Sequence, residues 1–312
     1  MPRKLIRAEP TPTPGHLGDI GAAGRSRVLG MEILRYAAFS DEPGGGNPAG
    51  IVLDAGDLDD ATMQRIAAAV GFSETAYLTP TGPGRARVRY FAPIAEVAFC
   101  GHATIATAVA LAERAGTGRL TLDSAAGVIE VGTVAGAGGI VATLVSVPPR
   151  VSEIPDDVAG ALLGALRLTS AELDGALPIR VSYSGNHHPI VGVPLSVLDR
   201  LDQDQRALAA LMAEQGWGAT VAVVAGTGVG SDGNAEFEAR NPFPPGGVRE
   251  DPATGSAAAA LGGYLRALRL VDPPARITVR QGRHIGRPGV LTVDIPAGAG
   301  GIAVSGRAVP ML

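Results

Sequence analysis

The order of local patterns in residues 46–131 recurs in residues 185–283, shifted by roughly 140 to 157 positions. In the first stretch, G-N-P-A-G-I-V-L-D-A-G-D-L (Gly46–Leu58) precedes a helix-like M-Q-R-I-A-A-A-V-G-F. In the second, G-N-H-H-P-I-V-G-V-P-L-S-V-L (Gly185–Leu198) precedes L-A-A-L-M-A-E-Q-G-W. A glycine stops each helix, and a strand follows: E-T-A-Y-L-T in one case, A-T-V-A-V-V in the other. Each half then has a strand running into an F-x-P turn, V-R-Y-F-A-P (Val88–Pro93) and E-A-R-N-P-F-P-P (Glu238–Pro245). A glycine-containing loop next opens an alanine-rich helix, C-G-H-A-T-I-A-T-A-V-A-L-A or A-T-G-S-A-A-A-A-L-G-G-Y-L.

Those alanine-rich helices are apolar all round, so each must be buried on every side, which requires strands wrapped around it. The expected fold is α+β: two pseudo-symmetric halves, each a curved, mostly antiparallel sheet or barrel around a central helix. With the halves facing each other, both helix N-termini meet at the cleft. Their free N–H groups and partial positive charge suit an anionic ligand there. Residues 1–30, rich in proline and glycine, read as a disordered extension without the apolar core of a secretory signal. The first half is expected over 31–147, joined by a C-terminal strand at about 300–312, and the second over 148–299. Prolines in Val145–Asp157 mark the linker.

Composition narrows the function. The chain is 46% apolar and 18% charged with a net charge of −4, so it has no basic surface for nucleic acid or anionic lipid. No apolar run approaches the roughly 18–20 residues of a membrane span. One cysteine allows no internal disulfide and no cysteine-based zinc cluster, consistent with a reducing cytoplasm. No H-E-x-x-H or spaced acidic cluster is present, and adjacent His187 and His188 point apart and make a poor metal pair. G-V-G-S-D-G (Gly228–Gly233) matches a dinucleotide fingerprint but leads into a strand-like N-A-E-F-E-A, so it reads as a hairpin turn. The partner is a small molecule, and neither metal nor cofactor is expected.

Among single residues, Glu74 stands out. The repeat sets S-E-T-A-Y against G-A-T-V-A, so Glu74 corresponds to Ala219 and its carboxylate exists in one half alone. A cleft carboxylate of this kind suits a general base that later acts as acid. His102, two residues after Cys100 at a helix start, can donate to a carboxylate ligand. Asp251, Thr254 and Ser256 suit both helix capping and ligand binding, and Pro252 suits a first turn. Gly101 and Gly255 let the backbone approach a ligand closely. Asn47 and its repeat mate Asn186 fit a turn or a ligand contact equally well. Cys100 has no second thiol to face and reads as a small apolar filler.

Taken together, G-N-P (Gly46–Pro48), S-E-T-A (Ser73–Ala76), C-G-H-A-T (Cys100–Thr104), E-D-P-A-T-G-S-A (Glu250–Ala257) and S-G-R-A-V (Ser305–Val309) resemble the PhzF-like phenazine-biosynthesis isomerases. That family has the diaminopimelate epimerase fold. The resemblance implies a cofactor-independent isomerase with Glu74 as acid and base. His102, Asp251 and Ser256 would be substrate-binding; Gly101, Thr254, Gly255 and Asn47 join them on grounds of close backbone approach and turn geometry. It also implies trans-2,3-dihydro-3-hydroxyanthranilate as the type substrate and a homodimer; the cytoplasmic location is the expectation from the single cysteine. Two alternatives remain open: an amino-acid epimerase or racemase, and a non-catalytic small-molecule binder on the same fold. The first needs two opposed bases, usually cysteines, yet Pro252 stands where the second cysteine would fall.

Overall fold

In the computed structural model, residues 20–21, 25–28 and 30–311 are described. The strands Met31–Ala38, Asn47–Val52, Glu74–Gly82, Arg85–Phe91, Arg119–Ser124, Gly127–Gly136 and Gly139–Val145 follow one another around a barrel, and Ala303–Pro310 closes it. The second half runs through Arg150–Ser152, Arg180–Tyr183, His187–Gly192, Ala222–Val229, Ala235–Arg240, Ala275–Gln281 and Gly289–Ile295 to the same Ala303–Pro310 strand. Each half is antiparallel except at two matching places. Asn47–Val52 lies parallel to Glu74–Gly82, as His187–Gly192 does to Ala222–Val229. Arg85–Phe91 lies parallel to Arg119–Ser124, as Ala235–Arg240 does to Ala275–Gln281. The repeat in the sequence is therefore a repeat in sheet topology.

Each sheet encloses an alanine-rich helix. Gly101–Ala115 is buried continuously from His102 to Ala110, and Gly255–Ala267 from Ala257 to Leu265. Alanine has the highest helix propensity and the smallest side chain that keeps it, so strands can close around such a helix without leaving voids. The outer helices end as the sequence indicates. Asp60–Val70 is capped by Asp59 and stops at Gly71 (φ +72°); Gln205–Gln215 is capped by Asp204 and stops at Gly216 (φ +67°). The second half adds a helix at Asp156–Ala165 and a short one at Leu195–Asp199 that the repeat did not indicate. They form a separate core with Leu162, Leu166, Leu208, Met212 and Trp217.

Three boundaries differ from expectation. Of the supposed disordered extension, Arg25–Val28 is a strand paired with Met31–Ala38, so the ordered domain starts earlier than residue 31. Most of residues 1–30 lie outside the described residues. The linker region is not irregular throughout, since Arg150–Ser152 already pairs with Arg180–Tyr183. Ala303–Pro310 belongs to both halves: Ser305 pairs with Thr143 on one side and Thr292 on the other.

Two motif glycines have steric causes. At Gly306, in S-G-R-A-V, a Cβ would lie 2.3 Å from the Phe39 ring. At Gly46, in G-N-P, φ is +54° and a Cβ would lie 2.1 Å from the Ala38 carbonyl oxygen. Among the described residues, no helix is long and apolar enough to cross a membrane. The G-V-G-S-D-G stretch is a hairpin connection, closed by Gly230 N–H to the Asn234 carbonyl at 2.8 Å.

Candidate active site

The two central helices begin side by side at one cavity, lined by Gly101, Gly255 and Ser256 together with Phe39, Phe99 and Leu144. Cys100 and Thr254 hold the N-cap positions in extended conformation, and neither side chain caps its helix. The capping expected of Asp251, Thr254 and Ser256 therefore does not occur. Thr254 hydroxyl donates to the Asp251 carboxylate instead. First-turn N–H groups have no intrahelical carbonyl to satisfy them, which suits an anionic ligand. Helix geometry also corrects the repeat alignment. Cys100-Gly101-His102 matches Thr254-Gly255-Ser256, so Thr254, not Pro252, is the counterpart of the cysteine.

On the first-half side, Glu74 opens its strand next to Ala49. Its Oε2 lies 3.3 Å from His102 Nε2 and accepts from the Cys100 thiol at 3.4 Å. Ser73 hydroxyl is 3.3 Å from the same ring nitrogen. Burial pushes the Cys100 thiol well above its usual pKa, and the Glu74 charge adds to this, so at neutral pH the sulfur carries its proton. With Asn47 and Asn186 matched, the parallel registers Ile51–Ala76 and Ile190–Ala222 make Thr220 the counterpart of Glu74, one place beyond Ala219. The asymmetry holds, because Thr220 carries no charge. Asn186 is exposed, whereas Asn47 is buried in the site.

On the second-half side, Asp251 is buried. Asn47 Nδ2 donates to its Oδ1 at 2.9 Å and to the Ala253 carbonyl at 3.0 Å. Gln281 completes the cradle, donating to the Asp251 carbonyl at 2.7 Å and accepting from Thr254 N–H at 3.1 Å. Burial raises the Asp251 pKa to about 6. The His102 charge and the Thr254 and Asn47 hydrogen bonds pull it down, and the Glu74 charge pushes it up. The Glu74 charge is thus felt at Asp251.

Ser256 has a partner that pattern reading set aside. Its Oγ lies 3.0 Å from Nε2 of His188, which is fully buried, and His188 Nδ1 lies 2.9 Å from the Thr220 carbonyl oxygen. Burial lowers the His188 pKa to about 4. Gln281 carries no local sign of a site role, since it ends a strand of ordinary alternating pattern, and His188 carries a single one. The one available signal was His188 occupying an inward position of H-H-P-I-V, where a polar side chain needs a partner.

Glu74, Cys100 and His102 offer donor atoms within 4.8 Å of one another, close enough to suggest a metal ion. The ring orientation argues against a ready site. Cys100 sulfur lies 3.3 Å from Nδ1 and 3.7 Å from Nε2, nearly equidistant, so it lies along neither ring lone pair.

Paired curved sheets around central helices, with both helix starts at one largely apolar cavity, define the diaminopimelate epimerase-like class of isomerase folds. Within that class, the chain belongs to the phenazine biosynthesis-like protein family (PhzC-PhzF), which it matches over residues 36–312. It is similar to an uncharacterised isomerase of Deinococcus radiodurans, 38% identical over 277 residues, covering 84% of this chain and 87% of that one. It is also similar to the trans-2,3-dihydro-3-hydroxyanthranilate isomerase of Pseudomonas chlororaphis, 34% identical, covering 81% and 86%. A crystal structure of a PhzF-family phenazine biosynthesis protein from Bacillus anthracis superposes with a TM-score of 0.79 at 29% identity, covering 90% and 96%. The chain is an isomerase of this family.

Proposed function

We propose that this isomerase moves a proton along a small, carboxylate-bearing conjugated substrate, trans-2,3-dihydro-3-hydroxyanthranilate, with Glu74 as the single acid and base. The observation that carries the reading is the one-sided placement of Glu74. Its carboxylate lies 3.3 Å from His102 at the start of the first central helix, while its counterpart in the other half is the uncharged Thr220. Glu74 would take the proton from the ring carbon bearing the hydroxyl. The resulting negative charge spreads through the diene into the carboxylate. The uncapped N–H groups at Gly101 and Gly255 would receive that charge, as preorganised donors that lower such a barrier do. Glu74 then returns the proton further along the conjugated system on the same face. One base is enough because no stereocentre is inverted.

A two-thiol epimerase is disfavoured, because Thr254 stands opposite a protonated, buried Cys100. A non-catalytic binder would not need an ionisable Glu74. The reading includes a homodimer, which sedimentation of the purified protein checks, and a cytoplasmic location, which cell fractionation checks. The deciding experiment follows turnover of the dihydro-hydroxyanthranilate by NMR in deuterated buffer, comparing wild type with Glu74→Gln. Product formation by wild type and its loss in the variant support the proposal. No turnover by wild type removes the substrate, and wild-type turnover by Glu74→Gln removes the base.

A further inference from the structure

We infer that His188 is a positioning residue that fixes Ser256 as a hydrogen-bond acceptor, so the substrate group seated at Ser256 is a proton donor, an amino or hydroxyl group, and not the carboxylate. The inference deepens the proposed function and rests on it for the identity of the ligand.

The argument is one of hydrogen-bond accounting. The Thr220 carbonyl oxygen, 2.9 Å from His188 Nδ1, can only accept, so Nδ1 carries the ring's proton. The Thr220 hydroxyl, 3.1 Å from the same nitrogen, accepts a separate bond from Asn241 Nδ2 at 2.9 Å. A fully buried imidazole with no carboxylate partner in these contacts stays neutral, and the low His188 pKa agrees. Its Nε2 is then a bare lone pair, and the group 3.0 Å from it, Ser256 Oγ, must supply the hydrogen. With its one proton committed inward, Ser256 presents lone pairs to the cavity. The Ser256 carbonyl is engaged separately by the Ser184 hydroxyl at 2.7 Å, which fixes the first turn on which Ser256 stands.

The consequence is a division of labour at the helix starts. Donors for the substrate carboxylate come from the backbone N–H groups of the uncapped turns, and Ser256 takes a hydrogen from the substrate. His102 occupies the matching position of the first helix, yet its Nε2 faces the Glu74 carboxylate. Position two of each central helix thus carries a polar side chain, oriented oppositely in hydrogen-bond sense.

The test compares two stable aromatic probes, benzoate and 3-hydroxyanthranilate, binding to wild type, Ser256→Ala, His188→Leu and His188→Gln. Glutamine can restore both bonds, donating to Thr220 and accepting from Ser256. Ser256→Ala and His188→Leu are expected to weaken 3-hydroxyanthranilate about tenfold while benzoate changes less than twofold, with His188→Gln recovering most of the loss. Equal weakening of both probes would overturn the inference, because Ser256 would then be holding the carboxylate. Imidazole nitrogen NMR of the free protein reads the tautomer without any ligand. A proton on Nε2 overturns the inference even if the probes bind. Binding of neither probe, with the Nδ1–H tautomer present, refutes both the aromatic ligand class and the inference built on it. Thermal melts confirm that His188→Leu is folded, and should it fail to fold, Ser256→Ala and the tautomer decide.

Discussion

Asn47 and Asp251, 204 positions apart in sequence, meet in a 2.9 Å hydrogen bond that crosses from one half of the molecule to the other. The donor is a buried amide and the acceptor a buried carboxyl, so losing the amide leaves Asp251 Oδ1 and the Ala253 carbonyl short of a donor. Replacing Asn47 by Leu is expected to cost about 1–3 kcal/mol, the usual penalty for stranding a buried polar group. Urea unfolding measures it; a midpoint equal to wild type would mean that water or a neighbour replaces the amide.

Glu74→Gln keeps size and most contacts but removes the titratable group. Turnover is expected to fall about 10²–10⁴-fold, the range for losing a general acid–base. Affinity for a substrate-like aromatic acid should change little. Steady-state kinetics beside ligand titration separates the two, and a loss confined to affinity would place Glu74 in binding alone.

Asp251 is expected to shape the acid limb of the pH profile. Its pKa stands at about 6, raised by burial, so it gains its charge as pH rises through that value. If the carboxylate form holds the substrate, kcat/KM climbs with pH up to about 6 and then levels. The stability sign runs the other way. A raised carboxyl pKa contributes stability at pH below the ordinary carboxylate range, and this is lost as pH rises through about 6. A flat kcat/KM from pH 5 to 8 would remove the charged role.

His188 works in the opposite sense. Its pKa is about 4 in the fold, against an ordinary value near 6.5, so the unfolded chain binds a proton that the folded one refuses. Its contribution to stability is whole above about pH 6.5 and is lost as pH falls through about 4. Wild type should therefore lose more stability than His188→Gln between pH 7 and 4.5, read from denaturant midpoints. Equal losses would mean that the imidazole is not kept neutral.

Cys100→Ser is expected to lower turnover by less than about tenfold, since the protonated thiol serves as a donor to Glu74 that a hydroxyl can imitate. A loss as deep as that of Glu74→Gln would reinstate sulfur as a participant in the chemistry.

How much of this was legible depends on whether a residue's reason lies in its neighbours along the chain or across the fold. The central helices announced themselves, because a run such as A-T-I-A-T-A-V-A has no polar face and can only be wrapped. Gly71 and Gly216 marked real helix stops for equally local reasons. Glu74 could be singled out because a repeat makes an asymmetric charge visible. Gln281 and His188 could not, as their partners Asp251 and Ser256 lie in other elements and no spacing encodes the pairing. Thr254 was misread as a possible cap, although capping is a good local rule, because a buried carboxyl nearby competed for its hydroxyl and won. The slip from Ala219 to Thr220 has a similar cause: turns of unequal length separate the repeats, and only strand register fixes the match.

The stave shared by the first barrel and the second sheet sets the order in which this molecule can come into being. Ser305 bonds to Thr143 from 162 positions away, and Pro310 lies beside Tyr36. The first barrel therefore stands open, its inner helix uncovered along one seam, until the whole second half has been made. Contacts of such long range are slow to form and leave a sheet edge exposed meanwhile. A gene cut between the repeats would thus not release a smaller working domain. The duplication visible in the sequence is tied, through one strand, into a single continuous sheet.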